Sequence, residues 1–470
     1  MFLCETSVKL AVKIMKEILL KYNQPVPRYT SYPPANYFKA GFTLENHIRL
    51  LEESNTSGAS NISIYLHTPF CKQKCHFCGC NSLIWNNDQQ TEEYIQALLT
   101  EIKNTFKYLD TKNRKISQIH WGGGTPNNLS LDQHKRVLDT IRELAQLLPS
   151  AEIAIECNPA YLEESYIIGL SKLGFNRISI GIQDFDLTVL KAINREPSAL
   201  PLSTIMDIIR KNDFKGVNLD FVYGLPLQTI EGFKESIAKA ISLKPDRIVT
   251  FSYAHMPSIL LGQANIQKET LPSDDEKLDM YLEARKLLIE AGYEVIGFDH
   301  FALPNDELTQ AKNKKSLHRN FQGYCTRETT GQVYAFGSSG ITQLGNAFIQ
   351  NVKSTQDYIK AINTKGFATW KGYELNEYEL ICSKIIEEIM CNGFINLEEI
   401  AIDRNIEMSD LYKITGFSPD KLLHFINDKL VVIKQNAICV SETGMMVVRN
   451  IAMLFDPLIQ NNSDVHSKTI

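Results

Sequence analysis

From residue 61 to about 300, short apolar runs alternate with longer amphipathic stretches. The runs at 62–67, 116–121, 152–156, 177–182, 216–222, 247–252 and 293–298 have the length of buried strands. The first, Ile62-Ser63-Ile64-Tyr65-Leu66-His67, is broken by Thr68-Pro69-Phe70. The stretches between repeat apolar residues at helical spacing, as in Tyr94, Leu98, Leu99 and Ile102, and in Val137, Ile141, Leu144 and Leu147. Alternating strand and helix predict a parallel sheet, because parallel neighbours need a crossover. Right-handed crossovers curl such a sheet toward a barrel. Six or seven units fall short of the eight of a closed barrel.

The flanks break this rhythm. Residues 1–60 read as a helix followed by an irregular arm. In the helix, Leu10-Ala11-Val12 and Ile18-Leu19-Leu20 are interrupted by Lys9, Lys13 and Lys16, with no small-residue cleavage site after them. That is an amphipathic helix, not a signal peptide. The arm, Pro25-Val26-Pro27-Arg28-Tyr29-Thr30-Ser31-Tyr32-Pro33-Pro34, is held extended by its prolines. It either straps the fold or offers Arg28 and its tyrosines to carboxylates. From about 300 to 365 the pattern is less regular. His318-Arg319-Asn320-Phe321-Gln322-Gly323-Tyr324 is dense in polar and aromatic residues there. Residues 370–457 read as a separate small helical domain with a hairpin around 430–433 and 438–440, giving a winged look. The polar tail, 458–470, is expected to be disordered at its end, from Asn461 on.

Composition narrows the class. A chain of 470 residues accommodates one large domain and a smaller one. Its net charge of −5 gives a nucleic-acid partner no electrostatic footprint. No run is long and apolar enough to span a membrane. Six of the cysteines, Cys4, Cys157, Cys325, Cys382, Cys391 and Cys439, are scattered, as ordinary thiols are in a reducing compartment. The cytoplasm is the expected location.

The other four cysteines are the chemistry. Cys71, Cys75 and Cys78 have the spacing Cys-x3-Cys-x2-Cys, and Cys80 follows at once. They lie on the loop after a strand, where parallel α/β proteins keep their chemistry. The loop is too tight for disulfides among them. A zinc knot needs a second ligand pair at metal-finger distance, and the sequence has no later Cys-x2-Cys or His-x3-His. A 4Fe–4S cluster takes four ligands, so three thiolates leave one iron open for a substrate or cofactor.

Further candidates follow later strands. Trp121-Gly122-Gly123-Gly124-Thr125-Pro126 frees backbone amides to meet a ligand, although a plain tight turn has the same composition. Glu156 is a lone charge at the end of an apolar run, and Asp220 is a lone charge in another. A carboxylate there is a ligand contact or a cross-strand ion pair. Gln183 ends the fourth run, and Asn194-Arg195-Glu196 comes soon after.

Cys-x3-Cys-x2-Cys after a strand resembles the radical S-adenosylmethionine (SAM) enzymes. The Cys78-Gly79-Cys80-Asn81 ending, the Pro-Arg-Tyr arm and His-Arg-Asn-Phe-Gln-Gly-Tyr resemble one family of them, the oxygen-independent coproporphyrinogen III oxidases. The resemblance runs from Tyr22 to about Pro457. It implies an α/β fold, an open partial (β/α)6 barrel over 61–365 with the arm and the helical C-terminal domain attached. It implies a 4Fe–4S cluster on Cys71, Cys75 and Cys78, with SAM on the open iron. Gly123, Gly124 and Thr125 match the loop that holds the amino-acid end of SAM, and Glu156 a SAM contact. Gln183 and Arg195 match ribose and carboxylate contacts, and Asp220 a further SAM contact. Ala254 matches a backbone contact to adenine, Phe77 a packing residue against it, and Ile341 a wall of that pocket. Tyr65 is implied as a SAM contact and catalytic residue. Cys80 is implied near a second SAM, with a role as a small buried residue the alternative. Cys157-Asn158-Pro159 departs slightly from the expected pattern without removing Glu156.

The implied reaction is oxidative decarboxylation of two propionates of coproporphyrinogen III to vinyl groups, giving protoporphyrinogen IX. The reduced cluster splits SAM, and the resulting 5′-deoxyadenosyl radical takes a propionate hydrogen. A tetrapyrrole carrying four propionates implies substrate contacts from Arg28, Tyr29 and Tyr32, and from Arg319, Asn320 and Gln322. The implied partners are that substrate and an electron donor of unknown identity, with the protein a monomer. The rivals are a haem chaperone of the same superfamily, which lacks Cys80 and the arm, and a radical SAM enzyme of other substrate.

Overall fold

The computed structural model describes residues 13–56, 59–84, 87–327, 331–459 and 466–469. These gather into two compact units. A sheet unit holds Phe38–Leu271 and Thr326–Glu374, and a second unit holds the chain up to Tyr37, Pro272–Cys325 and the chain from Leu375 on.

In the sheet unit six strands follow one another in parallel: β1 (Asn61–Thr68), β2 (Lys115–Gly123), β3 (Leu147–Cys157), β4 (Arg177–Gln183), β5 (Gly216–Tyr223) and β6 (Arg247–Ser252). Each matches a run expected from the sequence. Most of their apolar side chains are buried, as Ile62, Ile64 and Leu66 are on β1. Both faces of a parallel sheet are covered, so such strands read as nearly continuous apolar runs. The crossover helices are delimited locally. The Asn87 side chain caps Asp88–Phe106, a Ser130–Gln133 capping box starts Leu131–Leu144, and Thr229 caps Ile230–Ser242.

The barrel is open. Past β1 the sheet continues through β7 (Val333–Phe336), parallel to β1, and then through the antiparallel strands β8 (Ile341–Gln343), β9 (Ala347–Asn351) and β10 (Thr369–Glu374). Irregular chain was expected here. Strands of three to six residues, with β7 and β9 buried throughout, show no alternation by which to recognise them. The seventh expected strand, 293–298, is also corrected. Glu294–Ile296 and His300–Ala302 form a short antiparallel hairpin in the second unit, with Gly297 at φ 62° in its turn.

The second unit is built on the helix Glu377–Asn392. Its buried stripe of Ile381, Ile385, Ile386 and Ile389 meets the hairpin Leu317–Asn320/Gly323–Thr326, where the Tyr324 hydroxyl donates to the Met390 carbonyl at 3.0 Å. Phe394–Asn396, Val431–Lys434 and Ala437–Val440 make a three-stranded antiparallel sheet, and the last two form the expected hairpin. The expected N-terminal helix is present over 13–21, while Leu10-Ala11-Val12 lie outside the described residues.

The arm is fastened within this unit. The Arg449 guanidinium, 3% exposed, donates to the carbonyls of Val26 and Pro27 on the arm and of Ser467, Lys468 and Thr469 near the chain end. Pro25 bridges to Lys468. Residues 466–469 are therefore ordered, contrary to the disorder expected from their polarity, because their backbone carbonyls satisfy a buried cation. Residues 461–465 and 470 lie outside the described residues. Among the described residues no helix is long and apolar enough to cross a membrane.

Candidate active site

The site forms at the C-terminal ends of β1 to β6, where the six strands deliver their last side chains to one end of the sheet. The cysteine loop leaves β1 and is tied down by neighbours distant in sequence. His76 N–H donates to the Ile193 carbonyl at 2.9 Å, and the Gln73 amide donates to Asn194 Oδ1 at 2.6 Å. Gln263, 1% exposed, donates through one amide group to the carbonyls of Phe77 and Ala254, both at 3.1 Å. Asn81 Nδ2 donates to the Lys353 carbonyl at 2.9 Å.

Each of the three spaced cysteines has its own donor. Thr125 Oγ1 lies 3.3 Å from Cys71 Sγ, Arg195 Nη1 3.5 Å from Cys75 Sγ, and the Cys80 amide 3.4 Å from Cys78 Sγ. Burial raises the Cys71 and Cys75 thiols. The Cys80 thiol, hydrogen-bonded to Cys78, pulls the Cys78 thiol down. The three sulfurs lie close enough to act on one another electrostatically. Among the described residues no three ligands converge on a single ion. Three thiolates on one loop suit a cluster that presents a separate iron to each of them.

The glycine loop is the facing wall. A Cβ on Gly124 would sit 3.0 Å from Cys71 Sγ and from the Thr68 carbonyl oxygen. Gly123 has φ 114°, a conformation only glycine adopts without strain. Its amide points at Glu156 Oε2, 3.3 Å away. Glu156 Oε1 meets His120 Nε2 at 2.9 Å, and the His120 ring stacks on Tyr65 with centroids 6.0 Å apart. The Tyr65 hydroxyl reaches His67 Nδ1 at 3.2 Å, and His67 Nε2 reaches the Asn81 carbonyl at 2.9 Å. Burial lowers the His67 pKa, so its ring is neutral and donates to that carbonyl through Nε2.

The fourth and fifth strands supply the other side. Gln183 ends β4 with φ 69°, past a register shift between Gly181 and Gln183. A Cβ on Gly181 would lie 2.7 Å from Gln183 Nε2 and 3.1 Å from Arg195 Nη2, so both side chains converge over that glycine. Arg195 also donates to the Gly181 carbonyl. Asp220 accepts from Ser179 Oγ at 2.5 Å and Asn218 Nδ2 at 2.8 Å. Phe77 packs against Val189, Leu190, Ile193, Val222, Leu225, Tyr253 and Ile266. Ile341 begins β8, paired with Gln350.

The arm and the later polar cluster belong to the second unit. Tyr29 and Tyr32 are buried, and the Tyr29 hydroxyl donates to Asp456 at 2.9 Å. Arg28 Nε reaches Ser467 Oγ at 3.4 Å. Arg319 is sandwiched, its guanidinium carbon 4.8 Å from the Phe298 ring and 4.5 Å from the Tyr324 ring, with Asp299 at 3.7 Å. Among the described residues its Nε and Nη1, with Asn320 Nδ2 and Gln322 Nε2, are buried donors without a hydrogen-bond partner.

His67, His120 and Gln263 were not singled out from the sequence. The period-two spacing of Tyr65 and His67 on β1 was the one local signal, since it puts both on one face.

The profile of the radical SAM superfamily matches residues 65–240. Oxygen-independent coproporphyrinogen III oxidase from Synechocystis sp. is 37% identical over 462 residues, covering 96% of this chain and 97% of its own length. The protein of that name from Escherichia coli is 35% identical over 448 residues, covering 95% and 96%. The solved structure of coproporphyrinogen III oxidase from Escherichia coli, described as a radical SAM enzyme, superposes with a TM-score of 0.85 at 34% identity, over 92% of this chain and all of that one. With this identity along nearly its whole length, the chain belongs to the oxygen-independent coproporphyrinogen III oxidase family of the radical SAM superfamily.

Proposed function

We propose that this chain oxidatively decarboxylates two propionates of coproporphyrinogen III to vinyl groups, giving protoporphyrinogen IX. The observation that carries the reading is the loop in which Cys71, Cys75 and Cys78 each face a separate donor against the Gly124 wall, with Cys80 following. Cys71, Cys75 and Cys78 hold the 4Fe–4S cluster and leave its fourth iron to SAM. The bound pair supplies a carbon radical able to remove a propionate hydrogen.

The chain's own residues bind, orient and keep water out. Gly123, Gly124 and Thr125 hold the amino-acid end of SAM, with Glu156 aimed by the Gly123 amide and His120. Gln183, Arg195 and Asp220 hold the ribose and carboxylate. Ala254, Phe77 and Ile341 enclose the adenine. Tyr65 and Cys80 stand at the reacting end. Substrate carboxylates go to Arg28, Arg319, Asn320 and Gln322, a role supported by the spare buried donors of the last three. Tyr29 and Tyr32 fix the arm that carries Arg28. The enzyme works in the cytoplasm as a monomer with a one-electron donor, and the free thiols among the described residues suit that reducing compartment.

The test is anaerobic. Reconstituted protein, reduced with dithionite and given SAM and coproporphyrinogen III, should yield a porphyrinogen lighter by two carbon dioxides and four hydrogens, identified by mass after oxidation. Retention of haem without turnover would instead make the chain a chaperone.

A further inference from the structure

We infer that the outer face of the cysteine loop is the docking surface for an acidic one-electron carrier protein. The inference rests on the proposed function in one respect, that the cluster must be reduced to work. The carrier loses one electron and the cluster gains it; no atom or proton need cross the interface.

Three observations point to this face. The first is apolar exposure. Ile84 is 56% exposed, Ile259 57% and Leu261 80%. Single exposed aliphatics are ordinary, but these three lie on segments that touch one loop. Ile84 pairs with Cys71 in a short parallel ladder. Leu260, between the other two, packs where a Cβ on Gly79 would stand, 3.4 Å away, and Gln263 just beyond bonds the Phe77 carbonyl.

The second is charge. The loop itself and the segments bonded to it, 191–196, 257–263 and 352–354, carry Lys72, Lys74, Lys191, Arg195 and Lys353 against the one acid Glu196. On a chain of net charge −5 this face runs opposite to the whole. Lys72, Lys74, Lys191 and Lys353 are all exposed. Exposed lysines and exposed aliphatics on the segments that hold one loop steer an acidic partner and set its orientation.

The third is the path. Gly79 and Cys80 are exposed, and Cys75 and Cys78 are half-buried just beneath. A carrier seated on the loop therefore has only the loop between its own redox centre and the thiolates. Electron-transfer encounters use small, weak interfaces, which three aliphatics and four lysines suffice to form.

The experiment follows cluster reduction and turnover separately, using reduced flavodoxin of strongly negative charge as the probe and dithionite as the small-molecule control. Lys191→Glu/Lys353→Glu and Ile259→Ser/Leu261→Ser leave the proposed cluster and SAM residues untouched. Bleaching of the cluster by flavodoxin in stopped flow should slow at least about tenfold in both variants, while dithionite turnover stays within about twofold of wild type. In the wild type the flavodoxin rate should fall steeply with salt, and in the charge-reversed variant it should be nearly flat. Wild-type flavodoxin rates in both variants would overturn the proposal. So would a salt-independent rate in the wild type, a measurement that needs no variant. Failure of the proposed function would show differently, as a wild-type cluster that is reduced by flavodoxin yet makes no protoporphyrinogen.

Discussion

Adding one methyl group at Gly181 isolates the part of the site built by β4. The residue has ordinary extended backbone, so alanine costs nothing in φ and slightly favours the strand. Its Cβ would lie 2.7 Å from Gln183 Nε2 and 3.1 Å from Arg195 Nη2, both ends of flexible side chains. Those ends give way before the sheet does. Arg195 then loses its bond to the Gly181 carbonyl and its approach to Cys75. One hydrogen bond from a charged group is worth roughly 1.5–3 kcal/mol. SAM should therefore bind roughly ten- to 150-fold more weakly to Gly181→Ala. Iron content should be unchanged, because the three thiolate ligands stay. The assay is equilibrium dialysis of SAM against cluster-reconstituted protein, with iron measured on the same sample. Wild-type affinity at full iron content would refute the convergence of Gln183 and Arg195 on SAM. Loss of iron would show that the glycine serves the cysteine loop instead.

Cys71→Ala, Cys75→Ala and Cys78→Ala should each abolish the 4Fe–4S cluster while Cys80→Ala keeps it, as read from iron and sulfide per chain after anaerobic reconstitution. Arg28→Ala and Arg319→Ala should each lower porphyrinogen turnover roughly ten- to a hundredfold, with iron and uncoupled SAM cleavage intact; equal turnover would place both among structural residues. Burial raises the Asp456 carboxyl from 3.8 to about 6. Between those values the folded state holds a proton that the unfolded chain has released, so stability falls as pH rises through that window, by up to about 3 kcal/mol. Asp456→Asn should remove that slope from urea midpoints measured across the same range.

The sequence shows what is local. β1 to β6 stand within a few residues of their apolar runs, except that β3 starts earlier, because a strand covered on both faces needs an unbroken apolar stretch. The hairpin at 294–302 and the strands β7 to β10 did not show, since three to six residues do not establish a period. The cysteines are legible because one loop carries all of them. Gln263 is not, because its worth lies in the Phe77 carbonyl 186 positions away. Likewise nothing in the arm's own composition reveals that Tyr29 is bonded to Asp456, 427 positions on.

The fastening at Arg449 makes the arm and residues 467–469 a single mechanical element. Three of the carbonyls that solvate its charge come from residues 467–469 and two from the arm beside Arg28. Shortening the protein to residue 465 would leave a desolvated cation with less than half of these acceptors, a penalty on the order of 3 kcal/mol. The cheapest relief is for the guanidinium to swing out to water, and the arm loses its anchor when it does. Loss of residues 467–469 would thus be felt first at Arg28, more than 400 positions away in sequence.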